Sequence, residues 1–167
     1  VAPSLLGGLV LIRALKPLDV IRLPLPPTLT VAVVTPDIEV NTRASREVLP
    51  EAVSLPSLVR WTANIAALTC ACFTSDLDLM ARCITEDEVT AARASLIPGC
   101  REVIQAAVNA GCLGSSISGS GPSVFALCRS PHDGERVAAA MTDVFERKGM
   151  RCRVVVSRAE CPGARIL

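Results

Sequence analysis

Residues 114–123, with the sequence GSSISGSGPS, concentrate glycine and serine just before the apolar run 124–128. Because glycine has no Cβ atom, backbone amides in such a segment can approach a ligand closely and together bind an anion. Ser118 and Ser120 alternate with Gly119 and Gly121 and could donate hydrogen bonds to phosphate oxygens. A tight turn could use the same residues, but the density of glycine and serine favours a ligand loop.

Two arginines could bind a small anion. Arg46 follows Thr42 by four positions, a spacing that puts a hydroxyl and a guanidinium on one face of a helix. A guanidinium there could hold a carboxylate through two parallel hydrogen bonds. Arg93 is a single cation that precedes the turn 96–99. The alternatives, a capping threonine and two solvated arginines, stay open on these patterns alone.

Composition excludes several classes of function. The 167 residues suffice for one domain with a sizeable core, and 50% apolar with 20% charged residues indicates a globular chain. A net charge of +1 and 2% aromatic residues provide neither a basic patch nor stacking platforms, so we expect no nucleic-acid partner. No apolar run reaches the length of a membrane span, so we expect no membrane partner either.

The chain has eight cysteines and one histidine, with no C-x-x-C pair. Most of the cysteines fall within apolar helix or strand patterns. This distribution predicts buried, reduced thiols in a cytoplasmic protein, and it leaves no zinc site and no candidate metal ligand among these residues.

The order of elements predicts an α+β fold. A hairpin (9–14 and 18–23) precedes the proline-rich connector 24–27, and a buried strand follows at 28–35. Thr42 is expected to cap a short helix, and 54–73 is the strongest helical pattern, which we expect to be buried on most sides. Beyond it we expect a helix at 76–83, one at 100–110, a strand at 124–128, a helix after Ser130, a strand at 151–156 and an edge strand in the tail 163–167. This order is a split β-α-β pattern, an antiparallel sheet with helices on one face.

The chain resembles the homoserine kinases of the GHMP kinase superfamily. The resemblance covers the whole sequence and is carried by four motifs in the same order. They are VAPSLLGG at 1–8, VTPD at 34–37 with Thr42 and Arg46, RASLIPG at 93–99, and GSSISGSGPS at 114–123. The last motif alone indicates only a GHMP kinase, whereas the first and third narrow the resemblance to homoserine kinases.

The resemblance implies a ferredoxin-like C-terminal domain and ATP-dependent phosphorylation of the L-homoserine hydroxyl, a step toward threonine, with Mg²⁺. It implies that Arg46 and Arg93 bind the amino-acid carboxylate and that Thr42 is the catalytic threonine near the substrate hydroxyl and the metal. Residues 118–121 would lie against the phosphates. A homodimer is a further expectation.

The sequence also departs from the family. It lacks the P-x-x-x-G-L-G-S-S-A type of loop that grips ATP, so it resembles a C-terminal portion. We expect residues 1–27 to be a remnant of the N-terminal domain with its connector, 28–167 to be the C-terminal domain, and the chain alone to be inactive. Another GHMP kinase, acting on mevalonate-type or sugar substrates, and a non-catalytic ferredoxin-like binding module remain alternatives.

Overall fold

The computed structural model describes residues 2–165. Its helices and strands follow the predicted order, with one helix that the sequence did not predict. They are α1 (Ala2–Leu6), β1 (Leu9–Leu15), β2 (Leu18–Leu23), β3 (Thr30–Pro36), α2 (Ala44–Glu47), α3 (Leu55–Thr74), α4 (Leu77–Cys83), α5 (Glu88–Ala94), α6 (Cys100–Asn109), β4 (Gly114–Ile117), β5 (Val124–Cys128), α7 (Pro131–Arg147) and β6 (Cys152–Arg158).

A four-stranded antiparallel sheet in the order β4-β5-β3-β6 forms the centre of the fold. Strand β3 is an inner strand, and Val34 pairs with Val124 on one side and Val154 on the other. Alternate residues of β3 are buried, as period-2 geometry requires of a strand with one face against the core. The predicted α+β fold with an antiparallel sheet is confirmed.

Helices α6 and α7 pack on one face of this sheet and enclose the main core. The most buried large side chains of this core include Phe145 and Met141 of α7 and Val103 of α6. Helix α7 begins at Ser130, whose hydroxyl accepts a hydrogen bond from the amide of Asp133 at 3.2 Å. That cap fixes where the helix leaves β5, and so which of its faces meets the sheet.

Strands β1 and β2 pair as the predicted hairpin, separate from the four-stranded sheet. A second, smaller core joins the hairpin to helices α3 and α4 through Leu29, Cys72 and Met80. Between them and the opposite face of the sheet lies an apolar cavity of about 270 Å³. This face of the sheet is therefore only partly covered.

Four local predictions were wrong. Residues 88–94 form helix α5, which begins at Asp87, although their sequence shows no clear period. Residues 114–117 are strand β4, so the Gly-Ser segment contributes a loop only at 118–123. Helix α3 is not buried on most sides, because only its inner face has packing partners; its buried residues are Ser57, Ala71 and Cys72. Residues 163–165 of the tail form no strand; the single bridge nearby joins the preceding Pro162 to Gly7, and residues 166–167 lie outside the described range.

Within residues 2–165, no helix is both long and apolar enough to cross a membrane.

Candidate functional site

The loop 118–123, hereafter the glycine loop, is closed by its own backbone. The amide of Ser118 donates to the carbonyl of Ser123 at 2.8 Å, and the amide of Gly121 donates to the carbonyl of Ser118 at 3.0 Å. Gly119 and Gly121 have φ values of 62° and 86°, which only glycine adopts readily. The space beside Gly119 is open, whereas a Cβ atom at Gly121 would lie 2.7 Å from Ile97 Cδ1. Gly121 therefore packs against the core, and Gly119 faces outward.

Thr42 and Arg46 lie at a short turn and helix after β3. Thr42 does not cap α2: the N-cap residue is Arg43, no side chain makes a capping bond there, and the Arg43 amide donates to Asn41 Oδ1 at 2.7 Å. Thr42 therefore precedes the helix, and the expectation of a shared helical face with Arg46 does not hold. Both side chains are exposed. Among residues 2–165, no hydrogen bond or ion pair engages the Arg46 guanidinium.

Arg93 joins the glycine loop to α2. Its Nη1 donates to the carbonyl of Gly119 at 3.0 Å, and its Nε donates to the carbonyl of Ser45 at 3.4 Å. Ser45 is fully buried, and its hydroxyl donates to the carbonyl of Ser120 at 3.1 Å. Three segments that are distant in sequence thus meet at one point, and Arg93 lies beside the residue that precedes Arg46.

Side-chain hydrogen bonds at the N-terminal end of α5 fix the position of this helix, which carries Arg93. Its first turn is capped by Asp87, whose carboxylate accepts from the amide of Thr90 at 2.6 Å. At its start, Glu88 accepts from the buried Ser57 hydroxyl and pairs with Arg60 of α3 at 3.3 Å. The Ser57 hydrogen bond, then a hydrogen bond from the backbone amide of Glu88 itself and, to a smaller extent, the positive charge of Arg60, lower the pKa of Glu88.

These contacts give the cluster a positive, anion-binding character. The Arg93 guanidinium lies against the glycine loop, the exposed Arg46 directly follows Ser45 in the chain, and the Arg93 bonds to two carbonyls leave three of its five N–H groups for a ligand. None of the seven candidate residues is a carboxylate or an imidazole that could act as a base. The arrangement can bind and orient an anion.

Sequence reasoning missed two residues that build this site. Ser45 was not singled out, because a serine inside a short helix has no distinguishing pattern. Thr35 at the end of β3 was also missed; its hydroxyl and that of Ser123 lie 2.8 Å apart and tie the strand to the end of the glycine loop. The nearest sequence signal was the position of Thr35 at a strand end, where site residues often lie.

Two cavities lie away from this cluster. One of about 410 Å³ lies beside the hairpin, between Gly7, Arg22 and Glu160, and the other is the apolar cavity of about 270 Å³ under the sheet. Among residues 2–165 there is also no group of three or more His, Cys, Asp or Glu side chains that could hold a metal ion.

Comparison with known proteins identifies relatives along the whole sequence. Residues 65–147 match the family described as GHMP kinases C terminal. A homoserine kinase of Chlorobium phaeobacteroides (strain BS1) is 39% identical over 168 aligned residues, covering 99% of this chain and 52% of the relative. A homoserine kinase of Moorella thermoacetica is 43% identical over 155 residues, covering 92% of this chain and 52% of the relative.

A solved structure shows the same fold at similar identity. The crystal structure of homoserine kinase from Cytophaga hutchinsonii superposes with a TM-score of 0.94 at 39% identity, covering 97% of this chain and 51% of that one. The chain therefore spans about half the length of the curated relatives it matches.

Proposed function

This chain belongs to the GHMP kinases, and we propose that it is the C-terminal portion of a homoserine kinase. The reaction transfers the γ-phosphate of ATP to the hydroxyl of L-homoserine, a step toward threonine in the cytoplasm. Arg93 provides the observation that carries the proposal, because its two backbone hydrogen bonds bring the glycine loop beside α2. A phosphate-binding loop and an amino-acid-binding arginine must be neighbours for such a transfer.

Arg46 and Arg93 bind the homoserine carboxylate in this proposal. Arg46 is exposed and free of partners among residues 2–165, whereas Arg93 is half-buried and already oriented by two carbonyls. An arginine oriented before binding loses less side-chain entropy when its ligand arrives. The two side chains would therefore have different roles. Arg93 would fix the position of the carboxylate, and Arg46 would close on it.

The glycine loop lies against the ATP phosphates, with Ser118, Gly119, Ser120 and Gly121 in contact or shaping the turn. Thr42 lies near the substrate hydroxyl. That oxygen forms the new bond to the γ-phosphorus, the bond from phosphorus to the β–γ bridging oxygen breaks, and the hydroxyl proton passes to solvent. No base belongs to the candidate residues, and phosphoryl transfer depends chiefly on positioning and on stabilisation of charge.

The proposal also covers Mg²⁺ and the division of the chain. Residues 2–165 form no cluster suited to a metal ion, so Mg²⁺ would be held mainly by the ATP phosphates, as is common for this ion.

We assign residues 1–27 to the end of an N-terminal domain with its connector, and 28–167 to the C-terminal domain. Because the chain spans about half of its relatives, activity requires the remaining part of the ATP site.

Steady-state kinetics test the carboxylate assignment in the kinase that joins these residues to the N-terminal half present in its relatives. Arg46→Ala removes one charge-assisted hydrogen-bond partner, so we expect the KM for homoserine to rise about 10- to 100-fold. The KM for ATP should change by less than about twofold. Arg43→Ala is the matched control, because Arg43 is also an exposed arginine, lies just before Arg46 and pairs with Glu47 at 2.9 Å.

An unchanged homoserine KM in Arg46→Ala, or an equal rise in Arg43→Ala, would show that the carboxylate binds elsewhere. Absence of homoserine phosphorylation by the wild-type kinase, with activity on mevalonate or a sugar, would favour the alternative GHMP kinase. Absence of activity on all three would favour a binding module.

A further inference from the structure

Two side chains from other segments hold the backbone carbonyls at the tip of the glycine loop. Arg93 Nη1 donates to the carbonyl of Gly119 at 3.0 Å, and the Ser45 hydroxyl donates to the carbonyl of Ser120 at 3.1 Å. These two carbonyls belong to consecutive peptide groups. The directions of both groups are therefore set from outside the loop, by residues of α5 and α2.

The amides of the same peptide groups point the other way. A trans peptide group is planar, and its C=O and N–H bonds have opposite directions. Because the carbonyl of Gly119 faces Arg93, the amide of Ser120 faces away from Arg93. The Gly121 amide donates to the carbonyl of Ser118, whereas the Ser120 amide has no acceptor among residues 2–165. The Ser120 amide is thus a free donor whose direction is fixed.

Ser45 is fully buried, and each of its polar groups makes a hydrogen bond. Its amide donates to the carbonyl of Asn41 at 2.9 Å, and its own carbonyl accepts from Arg93 Nε at 3.4 Å. The hydroxyl keeps the Ser120 carbonyl as its acceptor, because a buried donor without an acceptor costs free energy. Ser120 is therefore held on both sides, by Arg93 through the peptide group before it and by Ser45 through the one after it.

We propose that Ser45 is a positioning residue that keeps the Ser120 amide directed at the transferred phosphate, an inference that rests on the proposed kinase function. Ser45 contacts neither ligand and acts through the loop. With both flanking peptide groups held, Ser120 cannot rotate, and its amide keeps the direction that Arg93 sets. An N–H group that is fixed in advance stabilises developing negative charge without reorganising.

In this arrangement the two ligands meet at the tip of the loop from different sides. The remaining N–H groups of Arg93 bind the homoserine carboxylate, and the Ser120 amide, which points away from Arg93, binds a phosphate oxygen. The substrate passes the tip at Gly119, where nothing lies within 4 Å of a Cβ position. The three carbon atoms between the carboxylate and the hydroxyl of homoserine give it the length to do so.

Loss of the Ser45 hydroxyl should impair catalysis more than binding. In Ser45→Ala the arginines still bind the carboxylate, but the Ser120 amide is no longer held in place as charge develops on the phosphoryl group. One neutral hydrogen bond corresponds to a loss of about 3- to 10-fold in kcat. The KM values for homoserine and for ATP should each stay within about twofold of the wild-type values, because ground-state contacts are retained.

Steady-state kinetics of the intact kinase, in which these residues are joined to an N-terminal half, measure this separation of kcat from KM. Thr30→Val is the matched control, because Thr30 is also fully buried and its hydroxyl also donates to a backbone carbonyl, that of Thr28, at 3.1 Å. Thr30 lies at the opposite end of β3 from the site. Its variant should keep kcat within about twofold, since no loop contact is lost.

Amide NMR of the intact kinase tests the Ser120 amide without turnover. The probe is a non-hydrolysable β,γ-imido analogue of ATP. It should shift the Ser120 amide resonance in the wild type and in Thr30→Val, and by less than about half as much in Ser45→Ala, because the donor is no longer aligned. Only folded molecules give the native resonance, so partial unfolding cannot imitate this result.

Three results would overturn the proposal. An equal fall of kcat in Ser45→Ala and Thr30→Val would show a general effect of losing a buried hydrogen bond. A homoserine KM that rises in Ser45→Ala while kcat is unchanged would make Ser45 part of the binding contacts. A Ser120 resonance that ignores the analogue, or responds equally in Ser45→Ala, would show that the hydroxyl does not orient this amide. Failure of the wild type to phosphorylate homoserine would count against the proposed function alone, because the Ser120 resonance still tests the loop.

Discussion

Replacing Gly121 by alanine should destabilise the chain much more than the same change at Gly119. Both glycines have positive φ values, and holding alanine in that region costs about 1 kcal/mol or slightly more. At Gly121 the new methyl group would also lie 2.7 Å from Cδ1 of the buried Ile97, whereas nothing lies within 4 Å at Gly119. Overpacking of a core costs about 1–3 kcal/mol. We therefore expect losses of about 1 kcal/mol for Gly119→Ala and about 2–4 kcal/mol for Gly121→Ala.

Urea denaturation of the 167-residue chain, followed by circular dichroism, measures both losses. Ile97→Val removes the Cδ1 atom at a cost of about 0.5–1.5 kcal/mol on its own. Combined with Gly121→Ala, Ile97→Val should relieve the close contact between the new methyl group and Cδ1. The double variant should therefore lose about 1 kcal/mol less stability than the sum of the two single losses. Equal losses for the two alanine variants, together with strict additivity at Gly121 and Ile97, would refute the assignment of Gly121 to the core and Gly119 to the ligand side.

Three further predictions concern stability and thiol reactivity. The hydrogen bond from Ser57 lowers the pKa of Glu88. The Glu88 carboxylate therefore stabilises the fold fully above the unfolded pKa near 4.5, and this stabilisation is lost as pH falls through the lower folded pKa. Glu88→Gln should reduce the difference between urea midpoints at pH 6 and pH 3, and an unchanged difference would exclude this linkage. Ellman's reagent should modify the exposed Cys70 and Cys161 of the native chain within minutes and the buried Cys72, Cys100 and Cys128 only on unfolding, and an even rate for all five would contradict this burial. Met141→Ala should cost about 2–5 kcal/mol in urea denaturation, because Met141 is fully buried between α7 and the sheet; a loss below about 1 kcal/mol would contradict that packing.

The thiol prediction has a physical basis in burial. Burial raises the pKa of Cys100 to about 11 and that of Cys128 to about 12, so neither thiol is ionised near neutral pH. The sequence predicted buried, reduced thiols from apolar surroundings, and this holds for Cys72, Cys100 and Cys128. Cys70 is exposed because it lies near the outer face of α3, a helix whose solvent side is itself apolar.

Strong local patterns allowed much of the fold to be predicted from the sequence. The β-branched run at β3, the Ser130 cap of α7 and the glycine after α6 each act within a few residues, so they identify an element without tertiary information. Helix α5 was missed because its seven residues are too few to show a period, and the Asp87 cap was the one local signal.

The exposure of α3 could not be predicted from periodicity. Apolar spacing shows which residues share a face, but it does not show whether a partner covers that face. The helix turns Ala71 and Cys72 toward its neighbours, and Leu55 and Phe73 toward solvent. The same limit applies to the site: spacing suggested that Thr42 and Arg46 share a face, whereas the contact between Arg93 and Gly119, residues 26 positions apart, required the fold.

Discrimination between L-homoserine and 3-aminopropan-1-ol tests the central claim most directly. The second compound is homoserine without its carboxylate, so it keeps the hydroxyl that receives phosphate. Two arginine–carboxylate interactions of about 1.5–3 kcal/mol each predict that the intact kinase prefers homoserine by about 10²- to 10⁴-fold in kcat/KM. In the double variant Arg46→Ala/Arg93→Ala this preference should fall to within about tenfold. A preference that persists undiminished in the double variant would contradict the assignment of these arginines and, with it, the proposed function of the site.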